Sequence, residues 1–445
     1  MNYREALAYL DSHINYETGA NTGLGARVIA GDTKHLSLSA MAEIMHVLGD
    51  PQNSYRVIHI TGTNGKGSVS RMVSAILTEM GLRVGTYTSP HLVKVNERIA
   101  VDGEPISDSE FAEMITDLAT IIPLTEISPT FFELLTAGAL QYFAQAAVDV
   151  AVIEVGMLGR YDAANICHAD VAVVTSLGKD HTDGQGDWRS AIASEKAGII
   201  KPDSTLVCGV DDSALLSIFL QEGAAHSWFR NEQFEILTDQ IAFGGHSFRM
   251  RTPLGATEDV YLPLYGEHQV ENAACAIAAV DAFFDKPTDT DFINDAFARL
   301  TVPARFEIMR HSPLVIVDAA HNRDGVASLV KTLTSEFDIP GRRIYVFGVL
   351  QGRDPVEFLE AADVRSADLV ITTSADSPRA FPARQLAEIV QRFGVMTEVI
   401  EDIDTAVQRA IDISTEGDVV VVAGSLYVVG PARHYLESHP HTEVV

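Results

Sequence analysis

The stretch Arg56–Gly81, RVIHITGTNGKGSVSRMVSAILTEMG, constrains the fold more than any other, because a strand, a glycine-rich turn and a helix follow one another in it without a break. Val57, Ile58 and Ile60 form a short β-branched run of the kind buried in a parallel sheet. From Val69 the apolar residues Val69, Met72, Val73, Ile76, Leu77 and Met80 recur at the spacing of one helical face, and Gly81 is placed to end it. The turn Thr61–Ser68 therefore lies at a helix N-terminus, where unpaired N–H groups and the helix dipole favour an anion. Phosphate is the expected guest. Gly62, Gly65 and Gly67 let the backbone approach it, Thr63 and Asn64 complete the turn, Lys66 brings a point charge and Ser68 a hydroxyl for Mg2+. The string departs from G-x-x-x-x-G-K-[ST], since Ile60 stands in place of the first glycine and Gly67 separates Lys66 from Ser68.

The same alternation continues downstream. Arg83–Tyr87 reads as a strand, followed by TSPHLVKVNERI, a loop with Ser89, His91, Glu97 and Arg98. Ser107–Leu118 reads as a helix with Ser107 and Glu110 at capping-box spacing, and Thr130–Ala144 as a second, strongly apolar one. Asp149–Val155 is nearly all apolar but carries Glu154 near its carboxyl end, where a lone carboxylate needs a partner. Asp170–Ser176 is another such strand, and LGKDHTDGQGDW after it brings Asp180, His181 and Asp183. Trp188–Ile199 reads as a helix containing Lys196. Such alternation indicates a doubly wound α/β sheet, in which ligands bind beyond the carboxyl ends of the strands. The glycine turn, Ser89, Glu154 and His181 each close or follow a strand, so all four are expected to converge on one crevice. Hydroxyl, carboxylate and imidazole beside a phosphate loop make a Mg2+ site. Each residue alone would more often be an ordinary loop or strand-end residue; the shared placement carries the argument.

Around this centre the pattern predicts helices over Tyr3–His13 and Ser39–Leu48, with a glycine-rich loop, Thr18–Gly31, between them. Ser227–Tyr265 reads as an antiparallel hairpin region, and GEHQVENAACAIAAVDAFF as a helix whose polar Asn272 has backbone satisfaction as its simplest role. Pro287–Arg305 is polar, which places a domain boundary near 300. Beyond it, strands at Leu314–Val317, Arg343–Val349, Asp368–Thr373, Met396–Ile400 and Asp418–Ala423 alternate with helices such as Val326–Phe337 and Ile403–Ile413. The expected architecture is α/β, a P-loop doubly wound N-terminal domain over 1–300 plus a smaller Rossmann-like C-terminal domain over 301–445. Asp318, His321 and Asn322 close the first strand of that second domain, again where a ligand would lie.

At 445 residues the chain exceeds what one hydrophobic core usually supports. Its formal net charge of −29 excludes nucleic acid and anionic membrane as natural partners, so an anionic substrate needs local basic residues. Cys167, Cys208 and Cys275 show no paired spacing, which suggests neither a disulfide framework nor a zinc site. MNYREALAYLDSH lacks a signal-peptide core, and no run approaches the ~20 apolar residues that span a bilayer. A cytoplasmic protein is expected.

Together these residues resemble the folylpolyglutamate synthase and dihydrofolate synthase branch of the ATP-dependent Mur ligase superfamily. The matching stretches run in family order through nearly the whole chain: TGTNGKGS, TSPHL with the later ER, SPTFFELLTA, IEVG with GRYDAAN, LGKDHTD, EKAGIIKP, GEHQVENA, PARFE, VDAAHN and AGSLYVVG. The resemblance implies that ATP phosphorylates a carboxylate and that the amine of glutamate attacks the acyl phosphate to form an amide. It implies dihydropteroate, a folate or a folate already bearing glutamates as acceptor; small-molecule substrates are the expected partners and a monomer the expected form, although no residue pattern speaks to oligomeric state. Lys66, His181 and Lys196 would be catalytic. Ser89 and Glu154 would hold one Mg2+, His181 and Glu154 a second, and Lys196 falls where the family carries a carbamylated lysine. Asn272, Arg305, Asp318 and His321 match positions that contact ATP across the domain cleft, while Phe132, Arg160 and Asp162 lie in stretches near the acceptor.

Three departures stand out. Met157, Leu158, Gly159 and Arg160 replace the usual Gly-Gly-Arg stretch; Pro303, Ala304 and Arg305 replace Pro-Gly-Arg; and Asp318, Ala319, Ala320, His321, Asn322 and Arg323 replace Asp-Gly-Ala-His-Asn-Pro. A glycine lost matters where φ is positive or a ligand touches backbone, so these changes bear on the acceptor more than on ATP. Ligation to a cell-wall precursor is disfavoured because only 61 residues precede Gly62, too few for an extra domain. A nucleotide-binding homologue without ligation is the alternative from another class, and a stand-alone kinase would leave the second domain unexplained.

Overall fold

The computed structural model describes residues 1–16, 30, 37–180, 182, 184 and 186–439. The expected loop Thr18–Gly31, apart from Ala30, lies outside the described residues, as do His181 and Asp183. The chain forms two compact units: Met1–Pro263 with His268–Thr301, and Leu264–Glu267 with Val302–Val445.

The first unit is built on an eight-stranded sheet of β1 (Arg56–Thr61), β2 (Val84–Tyr87), β3 (Ile99–Val101), β4 (Glu104–Pro105), β5 (Val150–Glu154), β6 (Val171–Val174), β7 (Thr205–Cys208) and β8 (His226–Phe229). Their order is β4-β3-β2-β5-β1-β6-β7-β8. Strands β2, β5, β1, β6, β7 and β8 run parallel, while β3 and β4 add an antiparallel edge. In β1 only Arg56 is exposed, as the β-branched run requires of a strand covered on both faces. The chain leaves central β1 for β2 on one side and later fills β6 to β8 on the other, so the carboxyl end of β1 is a topological switch point.

Helices α1 (Tyr3–Asp11), α2 (Ser39–Val47), α3 (Lys66–Glu79), α4 (Asp108–Ile121), α5 (Phe131–Gln145), α6 (Trp188–Ala197) and α7 (Ser213–Leu220) belong to this unit. Helix α3 starts earlier than the apolar period suggests, so Lys66, Gly67 and Ser68 form its first turn. Ser107 with Glu110 and Thr130 with Glu133 both form capping boxes, the first as the spacing predicts. The Ser227–Tyr265 region divides: β8 joins the main sheet as a parallel strand, and β9 (Glu235–Ala242), β10 (Gly245–Thr252), β11 (Gly255–Ala256) and β12 (Val260–Leu262) make a separate antiparallel sheet. Helix α8 (Glu267–Phe284) follows as expected, but α9 (Thr290–Ala298) occupies a segment that reads as merely polar. Asp289 caps it, and Ile293 with Phe297 buries one face; two apolar residues at i, i+4 are too few to stand out in sequence.

The second unit holds a six-stranded sheet of β13 (Glu307–His311), β14 (Leu314–Val317), β15 (Arg343–Phe347), β16 (Leu369–Thr372), β17 (Thr397–Val399) and β18 (Val419–Ala423), in the order β13-β14-β18-β15-β16-β17. All five strands read from the sequence are present and parallel, and β13 pairs antiparallel with β14 at the edge. Helices α10 (Arg323–Glu336), α11 (Pro355–Ala361), α12 (Ala383–Arg392), α13 (Ile403–Asp412) and α14 (Leu426–Ser438) complete it. The Leu264–Glu267 segment joins this unit because Tyr265 packs on Phe306 and Phe337, at ring centroid distances of 5.7 and 5.0 Å. Among the described residues no helix is long and apolar enough to cross a membrane.

Asp418, at the entry to β18, joins that strand to its neighbour β15. It accepts from the backbone N–H of Arg342 at 2.6 Å and of Thr415 at 2.9 Å, and from the Arg342 guanidinium at 2.8 Å. Burial would raise its pKa, but the bonds from Arg342 and Thr415 outweigh it and hold the carboxyl at about 2. The folded value lies below the ordinary aspartate value of 3.8, so the stabilisation is fully present above about pH 4 and is lost as the pH falls toward 2. Urea denaturation of Asp418→Asn at pH 7 is expected to show a loss of about 2 kcal/mol. The gap to wild type should close below pH 4; an equal gap at both ends would remove the charge as its cause.

Candidate functional site

The glycine turn leaves β1 at the switch point and is fastened to the end of β6. Thr63 N–H donates to Ser176 O at 2.9 Å, Asn64 N–H to Ser176 Oγ at 2.9 Å, and Thr175 Oγ1 to Asn64 O at 2.6 Å. Two of the glycines are required by packing before any ligand is considered. A Cβ on Gly62 would stand 1.9 Å from Thr175 Oγ1, and one on Gly65, at φ +86, 2.3 Å from Asn272 Oδ1. Asn272 is oriented by donating from Nδ2 to Gln269 Oε1 at 3.0 Å, so its place on α8 is that of a side chain seated on the turn. Lys66 Nζ donates to Gly62 O at 3.0 Å and to Thr63 O at 3.4 Å, which holds the ammonium over the mouth of the turn.

Strands β2, β5 and β6 deliver the other candidates beside it. Glu154 ends β5 and is 3% exposed; Ser89, beyond β2, donates its backbone N–H to Glu154 Oε2 at 3.3 Å. A Cβ on Gly67 would lie 3.6 Å from the same oxygen, so carboxylate and glycine turn are neighbours. Lys196 on α6 is 4% exposed. Burial, and after it the charge of Lys66, push its pKa well below the usual lysine range, while Asp180 and Asp162 pull the other way. Gly62, Thr63, Lys66, Gly156, Leu158, Asp180 and Lys196 line one pocket. Among the described residues no group of three His, Cys, Asp or Glu side chains surrounds a metal position. The hydroxyl and carboxylate of Ser89 and Glu154 are nonetheless hard oxygen donors, which suit Mg2+ because that ion takes most of its ligands from water and phosphate. His181 is outside the described residues.

The residues expected near the acceptor fare differently. Arg160 bonds through Nη2 to Glu222 and, at 3.0 Å, to Ser194 O; Asp162 accepts from Met157 N–H at 2.8 Å and Ala164 N–H at 3.0 Å. Their side chains thus tie the 156–164 loop to itself and to α6. The Phe132 ring lies against Gly156 on that loop and 6.0 Å from the Tyr87 ring. Leu158 and Ala304, at two of the three departures, stand at φ +59 and +57, the conformation that glycine would adopt without strain.

Within the second unit, buried Asp318 accepts from the N–H groups of Phe306 and Ala320, each at 2.7 Å. Burial raises its pKa, and the charge of Arg305 opposes the rise. His321 Nδ1 lies 2.8 Å from Ala319 O, which can only accept, so the proton is on Nδ1. Asn322 caps α10 by accepting from Gly325 N–H at 2.8 Å.

Family models match both parts of the chain: the Mur ligase middle domain over residues 60–280, and the Mur ligase glutamate ligase domain over 304–426. A Mycobacterium tuberculosis protein named dihydrofolate synthase/folylpolyglutamate synthase is 39% identical over 438 residues, covering 89% of each chain. The chain belongs to the dihydrofolate synthase/folylpolyglutamate synthase family of Mur ligases. The solved Mycobacterium tuberculosis folylpolyglutamate synthase complexed with ADP superposes with a TM-score of 0.89 at 36% identity, over 99% of both chains. A Yersinia pestis bifunctional folylpolyglutamate synthase/dihydrofolate synthase, solved with AMPPNP and a Mn ion, gives 0.84 at 29% identity over 98% of both.

In this member of the folylpolyglutamate synthase family, one part of the site escapes a motif reading, and the Glu97–Arg98 stretch, which the motif marks, gains a role from the structure. Thr175 and Ser176 hold the glycine turn, and a Thr-Ser pair at a strand's carboxyl end was their only signal. Glu97 accepts from the N–H groups of Leu92, Val93 and Lys94, at 2.8, 3.0 and 2.7 Å, and so closes the loop that begins at Ser89. Arg98, 2% exposed, fixes the same loop by donating from Nε to His91 Nδ1 at 2.9 Å. In Glu97→Ala the amides of residues 92–94 are expected to exchange with solvent roughly tenfold faster, as about 1 kcal/mol is lost per bond. Unchanged protection by hydrogen-exchange mass spectrometry would show that the loop does not depend on this carboxylate.

Proposed function

We propose that this protein is an ATP-dependent ligase that joins the carboxylate of a pterin-linked acceptor, dihydropteroate or a folate, to the amine of L-glutamate through an acyl phosphate. The observation that carries the reading is the convergence of the phosphate turn, the Ser89–Glu154 pair and buried Lys196 at the carboxyl ends of neighbouring strands. A family whose relatives are named for this ligation supports it.

The N–H groups of Gly65 to Ser68, at the N-terminus of α3, and the Lys66 ammonium hold phosphate oxygens, while Thr63 and Asn64 are bonded to Ser176 and Asn272 keeps the turn in shape. Asn272, Arg305, Asp318 and His321 are assigned to ATP; Asp318, by fixing the N–H of Phe306 just after Arg305 and of Ala320 just before His321, acts through their placement. Ser89 and Glu154 would hold one Mg2+, with His181 and Glu154 at a second, and bound metal supplies neutralisation of the phosphoryl charge. Lys196 is suited to carbamylation because burial disfavours its ammonium form. The neutral amine attacks CO2, a nitrogen–carbon bond forms, one proton leaves, and the new carboxylate would face the second ion. Phe132 is assigned to the pterin side. Arg160 and Asp162 act by shaping the 156–164 loop. Action as a monomer in the cytoplasm belongs to the same proposal.

ADP release with ATP, Mg2+ and glutamate, compared between dihydropteroate, tetrahydrofolate and no acceptor, tests the reading. Acceptor-dependent ADP with a product one glutamyl unit heavier is expected, and ATP binding without product in every mixture would point to a different acceptor or to binding alone. Lys66→Ala should abolish ATP use, and His181→Ala should slow Mg2+-dependent turnover roughly 100- to 1000-fold; wild-type rates in either would remove its assigned role. Lys196→Ala should recover part of its activity with added formate or acetate. A variant deaf to both carboxylates would leave the carbamate without support.

A further inference from the structure

Two residues of the motif stretches, Asn165 in GRYDAAN and Lys201 in EKAGIIKP, are not used by this mechanism, and the fold brings them together. Asn165 is 6% exposed and sits on a short 3-10 helix, Ala163–Ile166, which Asp162 caps by accepting from Ala164 N–H. Its Oδ1 accepts from Lys201 Nζ at 3.0 Å, and its Nδ2 donates to Arg160 O at 2.9 Å and to Gly198 O at 3.0 Å. An ammonium only donates and a carbonyl only accepts, so the amide has a single orientation here. These bonds join two walls of the pocket. Gly156 and Leu158, which line it, belong to the 156–164 loop, and Lys196 to the last turn of α6. The last carbonyls of a helix lack full partnering within it, and here the loop supplies donors. Arg160 N–H bonds to Glu195 O at 2.8 Å, Arg160 Nη2 to Ser194 O at 3.0 Å, and Asn165 Nδ2 to Gly198 O. The contact is close: a Cβ on Gly198 would stand 2.4 Å from Arg160 Cβ, and one on Gly159 3.0 Å from Lys196 Cα.

We infer that Asn165, held by Lys201, is a positioning residue for ligation: it locks the 156–164 loop to the end of α6. Lys196 and the Gly156 side of the pocket, against which Phe132 lies, thereby keep a fixed spacing. The inference rests on the ligase reading above. Neither residue touches a reacting group in this role; both act through the loop and the helix end. The glycine turn is fastened elsewhere, to Thr175 and Ser176 at the end of β6, with Asn272 of α8 seated on it. Nucleotide binding therefore does not depend on the Asn165 bonds, whereas alignment of the groups that react does. A merely structural node would lower the thermal midpoint and leave turnover of the folded protein unchanged. Asn165→Asp separates the two halves of the amide. It keeps the shape and an oxygen for Lys201, but it replaces the donor to two carbonyls with an acceptor that they repel.

The test compares kcat, at saturating ATP, glutamate and the better of dihydropteroate and tetrahydrofolate, with the ADP dissociation constant from calorimetry. Both are measured well below each variant's thermal midpoint for wild type, Asn165→Asp, Asn165→Ala, Lys201→Met and the Asn165→Ala/Lys201→Met double variant. Asn165→Asp and Asn165→Ala are expected to lower kcat roughly 10- to 100-fold while ADP binding stays as in wild type. Lys201→Met keeps both Nδ2 bonds and is expected to lose only severalfold. The double variant should match Asn165→Ala alone, because the bond that the two residues share is already gone. Wild-type kcat in Asn165→Asp would overturn the assignment, and so would ADP affinity falling in step with kcat. Lys201→Met, at a half-buried position, is expected to fold even where the Asn165 variants do not, and wild-type kcat in it would likewise count against the node. Wild-type protein that releases no acceptor-dependent ADP would instead overturn the ligase reading beneath it.

Discussion

The first unit depends on the fastening of one glycine turn to the next strand. Thr175 and Ser176, at the end of β6, bond to the backbone of Thr63 and Asn64, and the turn is thereby held open at the N-terminus of α3. The proposed phosphate site works only if the N–H groups at the start of α3 are set before the ligand arrives, because reorganising them during the reaction would cost part of the stabilisation they give. Side chains on β6 and α8 supply that preorganisation. The glycines follow from it: Thr175 and Asn272 occupy the space that side chains at positions 62 and 65 would need.

Burial does the second piece of work. Glu154 and Lys196 are both nearly inaccessible, one at the end of β5 and the other on α6, and the surrounding protein must make up for the water they lose. Glu154 receives a backbone N–H from Ser89, while Lys196 is driven toward its neutral form by burial and by Lys66. The loop between them, 156–164, is fixed by Arg160 and Asp162 and carries Leu158 into the same space.

Much of this was legible in the chain. The β-branched run before Gly62, the capping pairs of α4 and α5, and the five parallel strands of the second unit are local patterns with a single physical reading. Where the reading missed, the signal was short or shared: β8 and β13 are brief strands, and α9 buries its face through Ile293 and Phe297 within a polar surround. Arg160 and Asp162 show a different limit. Their motif marks them as important, but only their bonds to Glu222, Ser194, Met157 and Ala164 show that they act on a loop.

The sequence by itself determined the class of sheet, the place of the glycine turn at a helix N-terminus and the family of the chain, because each is written in residues adjacent in the chain. It also put Ser89 and Glu154 at strand ends, from which their meeting could be inferred. Only the tertiary structure decided that Asn272 is seated on Gly65, that Lys196 is buried beside Lys66, and that Leu158 takes a left-handed backbone within the pocket. Those facts depend on packing between segments distant in the chain, where desolvation and steric contact set both ionisation and backbone geometry.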